Sequence, residues 1–130
     1  RLLLDTHIAL WAIVDGERLS SQARDLIGEP GNVIVVSAAS IWEITIKHAL
    51  ARGAPSDMPI SGKEALGFFR AAGYSVLAGT AEHAAAVADL APLHRDPFDR
   101  LLVAQALHEP LRLITHDRHL LGYSQSIVVV

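Results

Sequence analysis

The sequence predicts an α/β domain with a parallel β-sheet of about five strands and helices on both faces. Short apolar runs such as residues 2–4 and 33–36 recur along the chain, and segments with helical spacing of apolar residues separate them. Strands that are apolar throughout, rather than alternating, are typical of parallel sheets covered by helices on both sides. A length of 130 residues suits one ordinary domain, so we expect residues 1–130 to fold as a single unit.

The predicted elements alternate along the chain. Predicted strands lie at residues 2–4, 33–36, 74–77, 112–115 and 127–130. Predicted helices lie at residues 8–14, 20–27, 41–51, 63–72, 81–91 and 97–108, with a short helical turn near 117–121. The Ser20-Ser21 pair can cap the second helix, and either Ser37 or Ser40 can cap the third. Residues 53–62 contain two prolines and two glycines, which predicts a flexible loop.

The composition excludes several classes of protein. Without cysteine there is no disulfide and no thiolate nucleophile, so any metal must bind oxygen or imidazole ligands. The formal charge of −3 argues against a protein that holds nucleic acid mainly through a broad basic surface. No apolar run is long enough to span a membrane or has the form of a secretion signal, so we expect a cytoplasmic location. The chain begins at Arg1 beside an apolar run, and we expect native residues before it.

Four acidic residues carry most of the functional information: Asp5, Glu43, Asp99 and Asp117. Asp5 and Asp117 follow predicted strands, and Asp99 lies in the first turn of a predicted helix. Ligands of parallel α/β sheets bind outside the carboxyl ends of the strands, where helices also begin. The acids would therefore meet at one edge of the sheet if strands one, two and four are neighbours.

Three of these acids also have ordinary structural explanations. Asp5 and Asp117 can each cap the helix that follows, a use of Asp that stabilises a helix by about 1 kcal/mol. Asp96 can cap the helix that Pro97 begins, which leaves Asp99 facing the positive end of that helix. Helix capping and a functional site both remain open for these three residues.

Glu43 is harder to explain by structure alone. At helical spacing it shares a face with Ala39, Ile46 and Leu50, so its carboxylate points toward an apolar side. Lys47, four residues later, would offset only about 0.2–0.5 kcal/mol as a pair within the helix. A buried carboxylate otherwise needs a cation or a proton.

Together the acids predict a divalent metal site. Carboxylate oxygens suit Mg²⁺ or Mn²⁺, and several carboxylates repel one another when no cation is present. A metal-activated water can attack phosphorus, and a second ion about 3.5–4 Å away can stabilise the leaving oxygen. This favours a metal-dependent phosphodiester hydrolase. A zinc site at His116, Asp117 and His119 is disfavoured because their spacing alone does not supply four convergent ligands.

Four segments of the chain form a set of motifs in a fixed order. They are LLLDTH at residues 2–7, SIWEI at 40–44 with Lys47, HRDPFDRLL at 94–102 with AQA at 104–106, and LITHD at 113–117. This set resembles the PIN domain family, and most closely the VapC toxins of bacterial toxin–antitoxin pairs. The resemblance implies a PIN-like sheet and RNA cleavage with Mg²⁺ or Mn²⁺. It implies that Asp5 and Asp99 are direct metal ligands, Asp117 a further ligand, and Glu43 a ligand through water or a proton acceptor.

Other residues are candidates for touching the substrate or orienting the acids. The candidates are Thr6, Lys47, Asp96, Arg100 and Thr115, with Arg95 and Arg118 as further phosphate contacts at the rim. Helix capping is the alternative for the threonines, and surface ion pairs are the alternative for the basic residues. Trp11 and Trp42 lie in apolar helical stripes and are predicted to be core or interface residues rather than base-stacking platforms.

The leading hypothesis is an endoribonuclease toxin that a small VapB-like antitoxin neutralises by covering the active site. The resemblance also implies a homodimer, to which the helical faces bearing Trp11 and Trp42 contribute. One alternative is a non-catalytic module of the same fold that binds a protein or RNA. An aspartyl-phosphate phosphatase with Asp5 as nucleophile ranks last, since the second acid expected two positions later is His7 here.

Overall fold

The computed structural model describes residues 1–55 and 57–130. Its strands are β1 (Leu2–Leu4), β2 (Ile34–Ser37), β3 (Ser75–Leu77), β4 (Arg112–Thr115) and β5 (Ile127–Val129). Its α-helices are α1 (Thr6–Val14), α2 (Ser21–Gly28), α3 (Ala38–Ala49), α4 (Gly62–Ala71), α5 (Ala81–Ala86) and α6 (Pro97–His108). Short 3-10 segments occupy Gly16–Arg18, Val87–Asp89 and Arg118–Tyr123. Among the described helices, none has the length and apolar character needed to span a membrane.

The strands form one parallel sheet in the order β3-β2-β1-β4-β5. This confirms the predicted fold class and places β1 between β2 and β4. The chain winds outward from β1 through β2 to β3, then returns to add β4 and β5 on the other side. The carboxyl ends of β1 and β4 therefore flank the point where the winding direction reverses, which is where open α/β sheets bind their ligands.

Side chains of the central strand divide between two apolar cores. Leu2 and Leu4 pack in a core that helices α1, α3 and α4 complete, whereas Leu3 packs against α6 in the other. Successive strand residues point to opposite faces, so a strand between two helical layers is apolar at every position. Leu2 is 5% exposed, and Leu3 and Leu4 are fully buried. This double burial fixes β1 rigidly immediately before Asp5.

The structure corrects the predicted helix at residues 81–91. Helix α5 ends at Ala86, and the chain continues as a 3-10 segment to Asp89. The guanidinium of Arg100 donates hydrogen bonds to the carbonyl oxygens of Val87 (3.1 Å) and Ala91 (3.1 Å). The Val87 carbonyl also accepts a 3.2 Å hydrogen bond from the backbone N–H of Leu90, which is the bond of a 3-10 turn and not of a continuing α-helix.

The cap of α3 is also settled. The hydroxyl of Ser37 accepts a hydrogen bond from the backbone N–H of Ala39 at 3.0 Å, so Ser37 is the N-cap. Ser40 lies inside the helix and is buried. The third helix therefore begins directly at the end of β2, which brings its first turns to the sheet edge that Asp5 occupies.

The predicted loop at residues 53–62 forms turns and bends where the structure describes it, and Ser56 lies outside the described residues. Asp57 accepts hydrogen bonds from the backbone N–H groups of Arg52 and Ala54, both at 2.8 Å. Met58 packs against the core beneath α1 and α4. These contacts attach the loop to the domain beside α1.

Helices α3 and α4 approach most closely at Gly62, and we expect Gly62→Ala to destabilise the fold. An added Cβ would lie 1.8 Å from the Thr45 hydroxyl oxygen and 3.3 Å from the Ile41 carbonyl oxygen. The Thr45 hydroxyl is itself held by a 2.8 Å hydrogen bond to that carbonyl. Overpacking of this kind should lower the free energy of unfolding by about 1–3 kcal/mol, measured by urea denaturation.

Gly67→Ala in the same helix is the matched control. A Cβ at Gly67 has no neighbour within 4 Å, so alanine should leave stability unchanged or raise it by up to about 1 kcal/mol. Equal unfolding free energies for the two variants would contradict the close approach of α3 and α4.

Candidate active site

Asp5 lies at the carboxyl end of β1 and caps α1 while remaining almost fully buried. Its Oδ1 accepts a hydrogen bond from the backbone N–H of Ile8 at 2.9 Å. Its Oδ2 accepts from the Thr115 hydroxyl and, at 3.4 Å, from the backbone N–H of His116. Capping and membership of a site can therefore occur together, since Oδ1 accepts one hydrogen bond and retains a lone pair.

Burial raises the pKa of the Asp5 carboxyl, because the charged form loses hydration. The hydrogen bonds from Thr115 and Ile8 oppose this shift but do not cancel it. The carboxylate is thus held in position by neutral donors that only partly replace water. A cation in front of it would supply the missing stabilisation.

Glu43 points inward from α3, as predicted, and is 3% exposed. Its Oε1 accepts a 2.7 Å hydrogen bond from the Thr6 hydroxyl, whose oxygen lies 2.9 Å from Ser40 Oγ. Its Oε2 lies 2.5 Å from Lys47 Nζ, and the lysine side chain is 44% exposed. The Thr6 hydroxyl and the Lys47 ammonium group therefore hold the Glu43 carboxylate in place, and Thr6 directly follows Asp5 in the chain.

Asp99 lies in the first turn of α6, where Asp96 caps the helix. The Asp96 Oδ1 accepts hydrogen bonds from the backbone N–H groups of Phe98 (2.8 Å) and Asp99 (3.2 Å). Burial, followed by the charges of Asp96, Asp5 and Glu43, raises the pKa of Asp99 to about 7, and His94 opposes the shift. The carboxylate that caps its own helix and two carboxylates from other segments thus act on Asp99 together.

Asp117 follows β4 and caps the 3-10 segment Arg118–Tyr123. Its Oδ1 accepts from the backbone N–H of His119 and contacts the Nδ1 of the same residue, both at 2.9 Å. Partial burial acts to raise the pKa of Asp117, but the hydrogen bonds from His119 and His94 outweigh it and lower the pKa. Unlike Asp99, Asp117 is therefore stabilised as a carboxylate.

His94 connects the last two acids and was missed as a site residue by the sequence analysis. Its Nε2 lies 2.8 Å from Asp117 Oδ2 and 3.4 Å from Asp99 Oδ2. Its Nδ1 accepts a hydrogen bond from the backbone N–H of Asp96 at 3.1 Å, so Nε2 carries the proton and donates to the acids. A signal was present, because His94 begins the segment that contains both Asp96 and Asp99.

Two other predicted residues have clear contacts. The Thr115 hydroxyl donates to Asp5 and accepts a 3.0 Å hydrogen bond from the backbone N–H of Asp117, so it joins the ends of β1 and β4. The Arg100 guanidinium is directed away from a phosphate-binding position, since it bonds to backbone carbonyls and to the Tyr123 hydroxyl. Arg100 therefore supports the segment that carries His94 rather than projecting into the cavity.

The basic residues proposed for the rim differ in their surroundings. Arg95 and Arg118 are exposed, so their contact with phosphate stays a prediction. Lys47 is half exposed and pairs with Glu43. His116 is exposed, and its Nδ1 lies 3.2 Å from the Val130 carbonyl oxygen, to which it can donate. In the described part of the chain, His116 does not join Asp117 and His119 in a ligand cluster, which agrees with the low weight given to zinc there.

The donor set fits a hard divalent cation. Asp5, Asp99 and Asp117 open into one cavity of about 450 Å³ with His7, Trp11 and His116. Ligand atoms of His94, Asp99 and Asp117 lie within 4.8 Å of one another. Carboxylate oxygens that face a wet cavity are the ligands that Mg²⁺ and Mn²⁺ prefer, with water completing the coordination.

A second group, His83, His108 and Glu109, has the spacing but not the chemistry of a metal site. The Nδ1 of the fully buried His83 accepts a 3.2 Å hydrogen bond from the backbone N–H of Thr80. Its Nε2 must then carry the proton and donate to Glu109 at 2.8 Å, which leaves no lone pair there for a metal. These residues join α5 to the end of α6.

Comparison with known proteins agrees with this architecture. The model of a family described as PIN domain matches residues 2–124. The structure resembles a chain in the crystal structure of VapBC2 from Rickettsia felis bound to a DNA fragment from their promoter. That match has a TM-score of 0.70 and 16% identity, and it covers 99% of this chain and 96% of the other.

A toxin–antitoxin complex from Klebsiella pneumoniae contains a second similar chain. The TM-score is 0.65 at 15% identity, and the match covers 99% of this chain and 97% of the other. At such identities the similarity establishes a shared fold. A comparison with curated protein sequences found no significant match.

The raised pKa of Asp99 predicts a specific pH dependence of stability in the metal-free protein. Because its folded pKa is about 7 against an ordinary value of 3.8, the stabilising contribution of the protonated carboxyl is fully present below 3.8. That contribution is lost as the pH rises through about 7. In buffer with EDTA, Asp99→Asn should therefore be more stable than the wild type at pH 8, by a margin that shrinks toward pH 5.

Thermal unfolding at several pH values measures this difference. Asp25→Asn, which changes an exposed carboxylate on α2, is the matched control and should follow the wild type throughout. Parallel pH profiles for the wild type and Asp99→Asn would show that Asp99 is not protonated in the folded protein near neutral pH.

Proposed function

The chain belongs to the PIN domain family, and we propose that it is a VapC-type endoribonuclease, the toxin of a toxin–antitoxin pair, that cleaves RNA with Mg²⁺ or Mn²⁺. The convergence of Asp5, Glu43, Asp99 and Asp117 on one edge of the sheet is the observation that carries this proposal. Burial, followed by the charges of Asp96, Asp5 and Glu43, holds the pKa of Asp99 near 7. Acidic clusters that are costly without a cation are typical of sites built to bind one.

The proposed roles follow from how each acid is held. Asp5 and Asp99 are the principal direct ligands, and Asp117, kept as a carboxylate by His94 and His119, is a further ligand. Glu43 binds the divalent ion through a water molecule or accepts a proton. When bound, the divalent ion lowers the pKa of a water molecule and offsets the charge of the phosphate.

The remaining chemistry belongs to the protein side chains. The Thr115 hydroxyl and the Ile8 N–H keep Asp5 from rotating, so its oxygens present a fixed geometry toward the cavity. Thr6 and Lys47 do the same for Glu43. A carboxylate fixed on both oxygens loses little conformational entropy when it binds, which favours tight positioning of the substrate phosphate.

A small antitoxin is the proposed partner, and the cytoplasm, where both RNA and an antitoxin are available, is the proposed location. Two of the similar structures are named as VapBC2 and as a toxin–antitoxin complex, which supports this partner. An antitoxin segment that covered the open cavity would exclude RNA from the carboxylates. A basic side chain in that segment would suit the negative charge there.

Asp5→Asn should abolish metal-dependent RNA cleavage while leaving the fold intact. The variant keeps the size of the side chain and can still accept the Ile8 N–H bond through its one oxygen, while its NH2 group can donate to the Thr115 hydroxyl. It removes the charge, and we expect at least about a hundredfold loss of activity. Cleavage of a labelled single-stranded RNA in Mg²⁺ or Mn²⁺ measures it, together with growth after induction in cells. Asp25→Asn is the control and should retain full activity and toxicity.

Full activity of Asp5→Asn would refute the proposed site. Calorimetric titration with Mn²⁺ separates an enzyme from a non-catalytic module of the same fold. Carboxylate-dependent binding is expected for the enzyme and should be lost in Asp5→Asn. Binding of Mn²⁺ that is equal in the two proteins, or absent from both, would favour the module.

A homodimer is the proposed assembly. Trp42 is 60% exposed and Leu50 is 64% exposed, both at α3, and Phe68 on α4 is 47% exposed. Apolar side chains in such number on adjacent helices favour burial against another surface. Sedimentation velocity at micromolar concentration should show a dimer, and Leu50→Lys should shift it toward monomer. A wild-type monomer at that concentration would refute this assembly.

A further inference from the structure

Trp11 lies between the carboxylate cavity and a second cavity that the proposed catalytic chemistry does not use. The first cavity, of about 450 Å³, contains Asp5, Asp99 and Asp117. The second, of about 420 Å³, is lined by Arg18 and by residues of α1 and the loop that follows α3. Trp11 and His7 line both cavities, so a ligand that leaves the carboxylates on this side must pass the indole ring.

The aromatic rings around Trp11 form a surface rather than a core packing cluster. The His7 ring centroid lies 6.0 Å from that of Trp11 at an angle of 51°. The His116 ring centroid lies 5.6 Å from that of Trp11 at an angle of 71°. Both histidines are exposed, while Trp11 is half-buried with one part packed against the core. The sequence-based assignment of Trp11 to core or interface is therefore incomplete, because the ring also faces a solvent-filled cavity.

Arg18 adds a positive charge to the second cavity, whose lining also includes the acidic residues Asp15 and Asp57. Its guanidinium carbon lies 5.5 Å from the Trp11 ring centroid. Its only ion pair among the described residues is a loose one, 3.7 Å to Asp15, with both side chains about half or more exposed. Such a pair contributes little and leaves guanidinium N–H groups available for a phosphate.

We infer that Trp11, His7 and His116 form a nucleobase-stacking subsite for an unpaired RNA strand, with Arg18 binding a phosphate beyond the cleaved bond. The inference rests on the proposed ribonuclease function and deepens it by naming the residues that receive the base next to the cleaved bond. Each nucleotide offers a flat face and one negative charge, which match an aromatic surface followed by a guanidinium. A base within a duplex is already stacked on its neighbours and cannot cover the indole.

The position of Trp11 beside the carboxylate cavity, rather than net charge, favours RNA over an apolar ligand here. A strand that leaves the metal site on this side meets the indole ring first and then the second cavity, where Arg18 is the cation and Asp15 and Asp57 are the acids among the lining residues. The contact with Arg18 is therefore assigned to one phosphate, next to the ring that the guanidinium approaches. The cavity volumes are within the range of about 300–1,000 Å³ that ordinary small-ligand pockets occupy.

Kinetics with a labelled single-stranded oligoribonucleotide test the subsite. Trp11→Leu keeps apolar packing but removes the aromatic face, and it should raise KM about tenfold while kcat changes less than threefold. Trp11→Tyr should restore KM to near the wild-type value. Asp25→Asn, an exposed change on α2, is the control. It should not alter KM.

Fluorescence provides a readout that does not depend on cleavage. In Trp42→Phe, Trp11 is the sole tryptophan, and titration with the oligoribonucleotide in Ca²⁺ should quench its emission. In Trp11→Leu, where Trp42 alone emits, the same titration should leave the emission unchanged. A duplex of the same sequence should require at least about tenfold more RNA for equal quenching. Thermal unfolding verifies that each variant is folded.

The outcomes separate this inference from the proposed function. If neither the wild type nor any variant cleaves RNA but the oligoribonucleotide quenches the emission of Trp11, the ribonuclease proposal fails and the subsite stands. If the wild type cleaves RNA but Trp11→Leu leaves KM unchanged and Trp11 is not quenched, the subsite is refuted and the ribonuclease proposal stands. If Trp11→Leu leaves KM unchanged but is no longer inhibited by the antitoxin, the cavity binds a protein partner and the subsite is refuted.

Discussion

The parallel pairing of β1 with β2 on one side and β4 on the other is the constraint on which the rest of the structure depends. Leu3 is aligned with Val35 and Leu113 in the two neighbouring strands, and all three side chains are at most 1% exposed. Because these strands are buried on both faces, a shift in register would place every side chain wrongly. The ends of the three strands are thereby held together, and the residues that follow them share one edge of the sheet.

This arrangement brings several carboxylates to one edge of the sheet, so the unfavourable electrostatics there come from the fold and not from any single residue. Asp5 is buried at the end of β1, Glu43 enters from α3, and Asp99 enters from the start of α6. Burial of Asp99, followed by the charges of Asp96, Asp5 and Glu43, raises its pKa to about 7, so the metal-free site retains a proton that an ordinary aspartate would release. Stability and function are opposed here. The charges that destabilise the metal-free fold are those that the proposed divalent ion requires.

The supporting contacts divide the acids into two classes. Asp5 and Glu43 have both oxygens bound by donors from different elements, and Thr115 ties Asp5 to the backbone that leads to Asp117. Asp99 has no comparable set of donors, and His94 reaches it only at 3.4 Å. The first pair therefore provides a preorganised part of the site, while Asp99 responds to charge and protonation. Trp11 and Arg18 extend the same edge beyond the acids.

The sequence by itself determined the α/β class, the strand positions and the four acids, because those depend on local signals: continuous apolar runs, caps and the spacing of residues along a helix. Glu43 was identified as inward-facing in this way. Only the tertiary structure decided what depends on contacts distant in sequence. His94 reaches Asp117 across 23 positions, and Arg100 reaches the Val87 carbonyl, in the 3-10 segment that follows α5, across 13 positions. Trp42, predicted as core or interface, is 60% exposed in the single chain, and Trp11 faces two cavities. Helical spacing places a side chain on one face of its helix, but what that face meets is set by the packing of the whole domain.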